Sequence, residues 1–267
     1  MMMYPSLTKS HKGVYPFRLG TTSFIYPDHY VPNVKMLGPY LDEIELLLFE
    51  SQPVDALPSK SVVAELSRLA GEYDLAYNIH LPTDVSISDP RPQKQQRAVD
   101  TMLKVFELTE PLNPTAYCLH IPYDKNLSAG EKESRWQDRV FHGLEKLLAG
   151  GIPPQSIAVE TLDYSLDRLD GIIDNLDLNV CLDLGHLMAR AVDIKTVFDH
   201  YGSKTLIIHL HAFEKDRDHL ALDRLSAQCA QTVLWILNRF RRTVSIEVFS
   251  FEDLKASLDF LDQFYPS

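Results

Sequence analysis

Eight short apolar runs, separated by longer amphipathic stretches, occupy most of this 267-residue chain. The runs that we predict as strands are 17–22, 43–49, 75–80, 115–120, 156–160, 179–183, 205–211 and 243–249. The helix candidates lie near 31–38, 59–73, 93–109, 131–149, 165–175, 193–201, 222–240 and 251–264. Repeated strand–helix alternation predicts an α/β fold, a closed (β/α)8 barrel of the TIM type. A doubly wound open sheet is the alternative, but the segment GTTSFIYPD after the first strand lacks the GxGxxG loop typical of that fold.

The length and composition favour one domain spanning residues 1–267. Barrels of this type often reach this length as one domain, and 45% hydrophobic residues supply a large core.

A formal net charge of −11 repels phosphate backbones, so we expect no nucleic-acid partner. We also expect no membrane association, because no apolar run approaches the ~18 residues of a spanning helix and no signal-peptide core is present. Cys118, Cys181 and Cys229 lack CxxC spacing, which favours reduced thiols and a cytoplasmic location.

Most of the strand candidates end in a potential metal ligand. His80 and His120 share one sequence context: each follows an apolar run and precedes an apolar residue and a proline. Glu160 and Glu247 each end a run rich in β-forming residues. A carboxylate at the end of a buried strand is costly unless it is paired or bound to a cation. The carboxyl ends of barrel strands meet at one face, so these four side chains predict a metal site there.

Two short motifs add further candidates. Asp183 and His186 form Asp-x-x-His, and Gly185 between them lets the chain turn so that both side chains reach one cluster. An aspartate that only caps the following helix is the alternative. His209 and His211 alternate along one strand and therefore face the same side. We prefer His211 as the ligand because it is nearer the strand end, and His209 then supports a ligand or contacts the substrate.

The segment FEKDRDHLALD after the seventh strand offers Asp218 and His219, with Asp216 as the alternative to Asp218. An aspartate and a histidine here would complete a second or third metal position. A solvated run of charges is the competing interpretation.

The candidate ligands are hard oxygen and borderline nitrogen donors without a thiolate, which suits Zn, Mn, Fe(II) or Co and does not choose among them. Such a cluster can lower the pKa of a bound water, and several ions can clamp the attacking and leaving oxygens of a phosphodiester. A single ion would instead polarise a hydroxy-ketone while glutamates move protons. In either case we expect Glu160 and Glu247 to be the catalytic residues.

These residues make the chain resemble the xylose-isomerase-like barrels, a superfamily that includes endonuclease IV and many sugar isomerases and epimerases. Endonuclease IV presents metal ligands in the order His, His, Glu, Asp, His, His, Asp, His, Glu. The resemblance implies the ligands His80, His120, Glu160, Asp183, His186, His209 or His211, Asp216 or Asp218, His219 and Glu247. Sugar epimerases need mainly a Glu, Asp, His, Glu subset, here Glu160, Asp183, His211 and Glu247. The additional histidines favour the hydrolases. Endonuclease IV has Asp-Arg-His where this chain reads Asp-Arg-Asp-His, so the register of that loop differs.

The opening segment FRLGTTSFIYPDHYVPNVKMLGPYLDEIELLLFE resembles the cobamide-remodelling phosphodiesterases of this superfamily. That resemblance implies a small-molecule substrate and metal-dependent hydrolysis in the nucleotide loop of a cobamide, which detaches the lower-ligand nucleoside from the corrinoid. The long loops after the third and fourth strands, LPTDVSISDPRPQKQQR and IPYDKNLSAGEKESR, are the expected walls of the substrate pocket.

Three other functions are weighed against this one. A sugar or hydroxyacid isomerase or epimerase would use Glu160 and Glu247 as ligands and as its acid/base pair. An abasic-site endonuclease is disfavoured by the −11 charge. A corrinoid- or sugar-binding protein without activity is disfavoured because every expected class of ligand is present.

Overall fold

The computed structural model describes residues 4–51, 56–123, 131–215 and 217–265. Its strands are β1 (Arg18–Thr22), β2 (Glu43–Leu47), β3 (Ala76–His80), β4 (Tyr117–Leu119), β5 (Ile157–Glu160), β6 (Asn179–Asp183), β7 (Thr205–Leu210), β8 (Ala212–Glu214), β9 (Arg217–Leu220) and β10 (Thr243–Ile246). Its helices are α1 (Tyr30–Leu37), α2 (Lys60–Tyr73), α3 (Pro92–Thr109), α4 (Glu131–Ala149), α5 (Asp170–Asn175), α6 (Leu184–Ala189), α7 (Ile194–Tyr201), α8 (Ala227–Leu237) and α9 (Phe251–Asp262).

Eight of the strands close into a barrel in the order β1, β10, β7, β6, β5, β4, β3 and β2. Every neighbouring pair in the barrel is parallel, including the closing pair of β1 and β10. The predicted (β/α)8 TIM barrel is therefore confirmed, and the open doubly wound sheet is wrong. A closed barrel gathers all eight strand ends around one opening.

The interior of the barrel is unusually polar below that opening. Glu43 accepts hydrogen bonds from Asn78 and Thr243, and Glu45 accepts one from Ser245. All five side chains are buried. Because successive residues of a strand point to opposite faces, Glu43 and Glu45 line the inside of β2 together. These hydrogen bonds stabilise carboxylates that would otherwise be costly to bury.

The element boundaries differ from the sequence prediction mainly where a cap or turn intervenes. The side chain of Ser226 accepts a hydrogen bond from the Cys229 amide, so α8 begins there and not at residue 222. Ser250 caps α9 as expected, accepting from the Asp253 amide. Two elements were not predicted: the short helix α6, directly after β6, and the antiparallel hairpin of β8 and β9 after β7. Among the described residues, no helix combines the length and apolarity needed to span a membrane.

Candidate metal centre

The carboxyl ends of the barrel strands carry most of the predicted ligands. Because the strands run parallel, these ends all open onto one face of the barrel. Six predicted ligands are either the last residue of a barrel strand or the residue after it: His80, His120, Glu160, Asp183, His211 and Glu247. The other histidines come from β7, α6 and β9, namely His209, His186 and His219.

The first group at this face consists of His80, His120 and Glu160. Glu160 Oε2 lies 3.2 Å from His80 Nε2 and 3.0 Å from His120 Nε2. His80 and Glu160 are buried, whereas the His120 side chain is partly exposed. The structure thus brings the two histidines with the shared sequence context onto one carboxylate oxygen.

The second group contains Glu160, Asp183, His209 and Glu247, each with one ligand atom within 4.8 Å of the others. His209 Nδ1 lies 3.5 Å from Glu160 Oε1 and 3.3 Å from Glu247 Oε2. In the structure His209, and not the preferred His211, lies among these carboxylates. Two strand residues span about 6.6 Å, so His211 cannot occupy the same layer.

His211 belongs to a third group with His186 and His219. The ring centroids of His211 and His219 are 4.2 Å apart. Asp183 connects this group to the second, because its carboxylate lies 3.1 Å from His186 Nδ1 and 3.2 Å from His211 Nε2. Asp183 also caps α6 by accepting a hydrogen bond from the His186 amide. The capping role and a ligand role are thus compatible in one side chain.

The hairpin of β8 and β9 carries His219 to the site. His219 Nδ1 donates a hydrogen bond to the backbone oxygen of Glu247 at 3.1 Å. Asp218, which we predicted as a ligand, is 58% exposed, lies 4.0 Å from His219 Nε2 and belongs to none of the groups. His219 has a left-handed backbone conformation with φ of 52°, so β9 is not a regular strand at this point, and the neighbouring Asp218 side chain stays exposed to solvent. Asp216 lies outside the described residues.

Three buried atoms of these groups make no hydrogen bond to any described residue: His186 Nδ1, His209 Nδ1 and Glu247 Oε2. Buried polar atoms are nearly always paired, so unpaired nitrogen and carboxylate atoms that face one another need another partner. A divalent cation suits this arrangement because it binds carboxylate oxygens and imidazole nitrogens together. The residues present therefore fit a metal ion.

The opposite ring nitrogen of several of the histidines is held by a hydrogen bond. His80 Nδ1 donates to the Leu81 carbonyl oxygen at 3.1 Å, whereas His211 Nδ1 lies 3.1 Å from both the Ala212 carbonyl oxygen and the His219 amide nitrogen. His209 Nε2 donates to Glu45 Oε1 at 2.9 Å. Such bonds orient the ring and leave the other nitrogen available to a metal.

Mutual pairing shifts the pKa values of the buried groups. Burial lowers the pKa of His80, but the hydrogen bond and charge of Glu160 outweigh it and raise the pKa to about 9. Burial raises the pKa of Glu247, but the neighbouring His209 outweighs it and lowers the pKa to about 2. Burial likewise opposes ionisation of Glu160, yet His120 and His209 hold its pKa well below the ordinary value. The two glutamates of the centre are therefore anionic at neutral pH.

Two components of the site were missed from the sequence. Glu45 orients His209, and its signal was the alternation of Glu43 and Glu45 within the apolar run EIELLLF. A thiol, which the sequence analysis did not place at the site, also lies close to it. Cys118 Sγ lies 3.6 Å from His209 Nε2, because alternate residues of β4 face the barrel interior.

Two exposed aromatic side chains lie on loops at the opening. Phe24 and Phe249 are 37% and 42% exposed, although large apolar side chains usually bury most of their surface. They lie on neighbouring loops, which are joined by a hydrogen bond from Thr22 Oγ1 to the residue before Phe249. The Phe249 ring lies 5.0 Å from the His219 ring. An apolar rim therefore borders the metal centre.

Comparison with known proteins bears on the family and the fold. A family model described as xylose isomerase-like TIM barrel matches residues 33–264. No curated protein gives a significant match. A D-tagatose 3-epimerase-like protein has a TM-score of 0.77 at 17% identity, over 92% of this chain and 96% of that chain. The IOLI protein with a binding zinc atom gives 0.71 at 13% identity, over 94% and 100% of the two chains. Endonuclease IV from Thermus thermophilus gives 0.68 at 17% identity, over 92% and 99%. At these identities, the likeness to the solved structures establishes the fold.

Proposed function

The chain belongs to the xylose isomerase-like TIM barrel family, and we propose that it is a divalent-metal-dependent hydrolase that cleaves a phosphodiester. The observation that supports this proposal is that the three groups are connected. Glu160 belongs to both the first and the second group, and Asp183 of the second group contacts His211 of the third. An in-line displacement at phosphorus benefits from more than one ion, because the attacking and leaving oxygens both need stabilisation. A single-ion isomerase would need only one of the three groups.

The donors divide naturally among the groups. His80 and His120 with Glu160 would hold one ion, and His209 and Glu247 with Glu160 and Asp183 a second, while His186, His211 and His219 would hold a third. When bound, such ions would supply Lewis-acid stabilisation of the phosphoryl oxygens and lower the pKa of a coordinated water.

The side chains themselves have distinct roles in this proposal. Glu247 is anionic at neutral pH, with a pKa of about 2, and its unpaired Oε2 would accept a hydrogen bond from the attacking water and so orient it. Glu160, which belongs to both the first and the second group, would fix the position of one group relative to the other. His120, His186 and His219 have partly exposed rings and would face the phosphate as it enters.

We propose that the substrate is a cobamide, cleaved in its nucleotide loop. The support is the resemblance of the opening segment, which forms β1, α1 and β2 on one side of the barrel opening. The exposed rings of Phe24 and Phe249 add to this support, because the planar lower-ligand base of a cobamide would stack on an aromatic side chain.

The test is incubation of metal-loaded protein with a cobamide, without oxygen and in water enriched in oxygen-18, followed by mass analysis. Zn²⁺, Mn²⁺, Fe²⁺ and Co²⁺ would be compared, with a chelated sample and Glu160→Gln as controls. We expect a corrinoid fragment and a ribazole fragment, one of them carrying a phosphate with one heavy oxygen. An intact cobamide with all four ions would contradict the proposal.

A sugar epimerase is the second candidate, and one observation favours it. Glu160, Asp183, His209 and Glu247 alone form a complete set of ligands for one ion, with two carboxylates available for proton transfer. Under this alternative, the protein would exchange a carbon-bound hydrogen of a ketose with deuterated water. His120→Ala separates the two functions, because it would abolish diester cleavage and leave the exchange nearly intact.

A further inference from the structure

Two buried thiols lie directly beside the carboxylate centre. Cys118 in β4 and Cys181 in β6 are free and fully buried, and neither has a role in the proposed hydrolysis. Cys118 Sγ lies 3.6 Å from His209 Nε2. Both thiols pack in one small apolar cluster with Ala116, Ala158 and Ile207. The thiols therefore converge on His209 from two strands that are not neighbours.

The separations suit a tetrahedral metal ion. Cys118, Cys181, His209 and Glu160 each offer one ligand atom, and these atoms lie within 4.8 Å of one another. With a Zn–S distance of about 2.3 Å and a Zn–N distance of about 2.0 Å, the sulfur and nitrogen of one tetrahedral ion are roughly 3.5 Å apart. The Cys118 Sγ to His209 Nε2 distance agrees with that value.

We propose that Cys118, Cys181, His209 and Glu160 form a separate site for a thiophilic divalent ion such as Zn²⁺ or Cd²⁺. Thiolate ligands select soft and borderline ions over hard ones, so Mg²⁺ and Mn²⁺ would not compete well for this site. On binding, each thiol releases its proton to solvent, and His209 Nε2 releases the proton that it shares with Glu45. The step involves no change of oxidation state.

A disulfide does not explain the arrangement. β5 separates β4 from β6, so the Cα atoms of the two cysteines are two strand spacings apart, about 9.6 Å. A disulfide requires Cα atoms within about 7 Å. The register adds a further offset along the strands, because Cys118 pairs with Ala158 whereas Cys181 pairs with Glu160. A bridging ion spans such a gap, but a direct sulfur–sulfur bond does not.

The site shares His209 and Glu160 with the carboxylate group that contains Asp183 and Glu247. A soft ion held by the thiols would therefore take Glu160 from that group and would place a second cation on the Nε2 side of the shared His209 ring. We expect the two sites to compete, so that a thiophilic ion displaces a harder ion from the carboxylates. This inference concerns binding alone and does not depend on which reaction the protein catalyses.

The test is a Cd²⁺ titration of metal-free protein, followed by the ultraviolet charge-transfer absorbance of cadmium thiolates. Cys229→Ser serves as the background, because it removes the third cysteine, which lies on α8 away from the barrel interior. We expect this variant to keep the band. Adding Cys118→Ser or Cys181→Ser should at least halve the band and weaken Cd²⁺ binding by more than the roughly 10–100-fold that loss of an outer partner of a ligand costs.

Thermal unfolding of each metal-free variant would verify the fold, and Cys181→Ala would repeat the test without introducing a hydroxyl group. Release of bound Co²⁺ or Mn²⁺ on addition of Cd²⁺ would support the competition between the sites. A Cys229→Ser protein without any charge-transfer band would overturn the proposal. So would folded Cys118→Ser and Cys181→Ser variants that retain the full band.

Discussion

Gly185 provides the space that the His211 imidazole occupies. A Cβ atom on residue 185 would overlap the His211 ring. Gly185 lies in the first turn of α6, directly after the strand that ends in Asp183, and the Asp183 carboxylate contacts His211. The absence of a side chain at this position therefore allows the second and third groups of the metal centre to meet.

Gly185→Ala should consequently disrupt the third group. We expect the His211 ring to move away from Asp183, with a loss of stability of about 1–3 kcal/mol from overpacking. Metal analysis of the loaded variant should find fewer ions per chain, and thermal unfolding would report the stability. Gly171→Ala is the matched control, because it also lies in a short helix and its added Cβ meets nothing within 4 Å. If Gly185→Ala bound as much metal as Gly171→Ala, the close contact with His211 would not control the site.

Glu45 should act on the metal through His209. Glu45 Oε1 accepts a hydrogen bond from His209 Nε2 at 2.9 Å, and its other oxygen accepts one from Ser245. We expect Glu45→Gln to weaken metal binding by about 10–100-fold, as is usual when the partner of a ligating histidine is lost. Glu43→Gln is the control, since Glu43 is equally buried on β2 but contacts no candidate ligand. Equal metal affinities of the two variants, measured by titration calorimetry, would refute the orienting role.

The pKa shifts predict how pH affects the metal-free protein. The pKa of His80 rises from 6.5 to about 9, so its pairing stabilises the fold below pH 6.5, and this contribution is lost as the pH rises toward 9. The pKa of Glu247 falls from 4.5 to about 2, so its contribution is present above pH 4.5 and is lost as the pH falls toward 2. These groups together favour a stability maximum between pH 4.5 and 6.5. Thermal unfolding of metal-free protein across this range would check the prediction.

The affinity for metal ions should rise with pH in the range where the stability of the metal-free protein falls. A ligating histidine must be neutral, and the pKa values of His80 and His211 are both raised to about 9. Burial lowers the pKa of His211, but Asp183 outweighs it. Binding must therefore release protons at pH 7, and the apparent affinity should rise until about pH 9. Calorimetry in buffers of different ionisation enthalpy would measure the release, and an affinity independent of pH would argue against these ligands.

The exposed rim should affect substrate binding more than stability. Phe249→Ala removes a ring that lies at the barrel opening, 5.0 Å from His219. We expect KM for a cobamide to rise by about 5–10-fold, the loss of one stacking contact of about 1 kcal/mol, with kcat nearly unchanged. Phe264→Ala is the control, because Phe264 is similarly exposed at 46% but follows α9, which leads away from the opening. Equal effects of the two changes on KM would exclude a stacking role for Phe249.

The barrel was predictable because each strand is a short apolar run and each connection is long enough for a helix. The ligands at strand ends were visible for the same reason, since His80, Glu160 and Asp183 each close a mainly apolar run. The sequence did not reveal which histidine of β7 joins which group. His209 and His211 face the same side, and their separation depends on depth in the barrel, which only closure of the sheet determines.

The remaining differences arise from contacts between distant segments. Asp218 is a predicted ligand from the order of residues in this loop, but its side chain is 58% exposed and belongs to none of the groups. Cys118 reaches His209 across the barrel interior, 91 residues away in sequence. No local pattern encodes such pairs, because they depend on which strands face each other across the closed sheet.

The most direct test of a multi-ion centre is a count of the metal ions that the three groups of ligands hold. A chain with Cys118→Ser and Cys181→Ser would be saturated with Zn²⁺ and measured by native mass spectrometry, so that the thiols cannot contribute. We expect at least two ions per chain, and fewer after His120→Ala or His219→Ala. A single ion that is unaffected by either histidine substitution would contradict the multi-ion hydrolase and favour the single-ion epimerase.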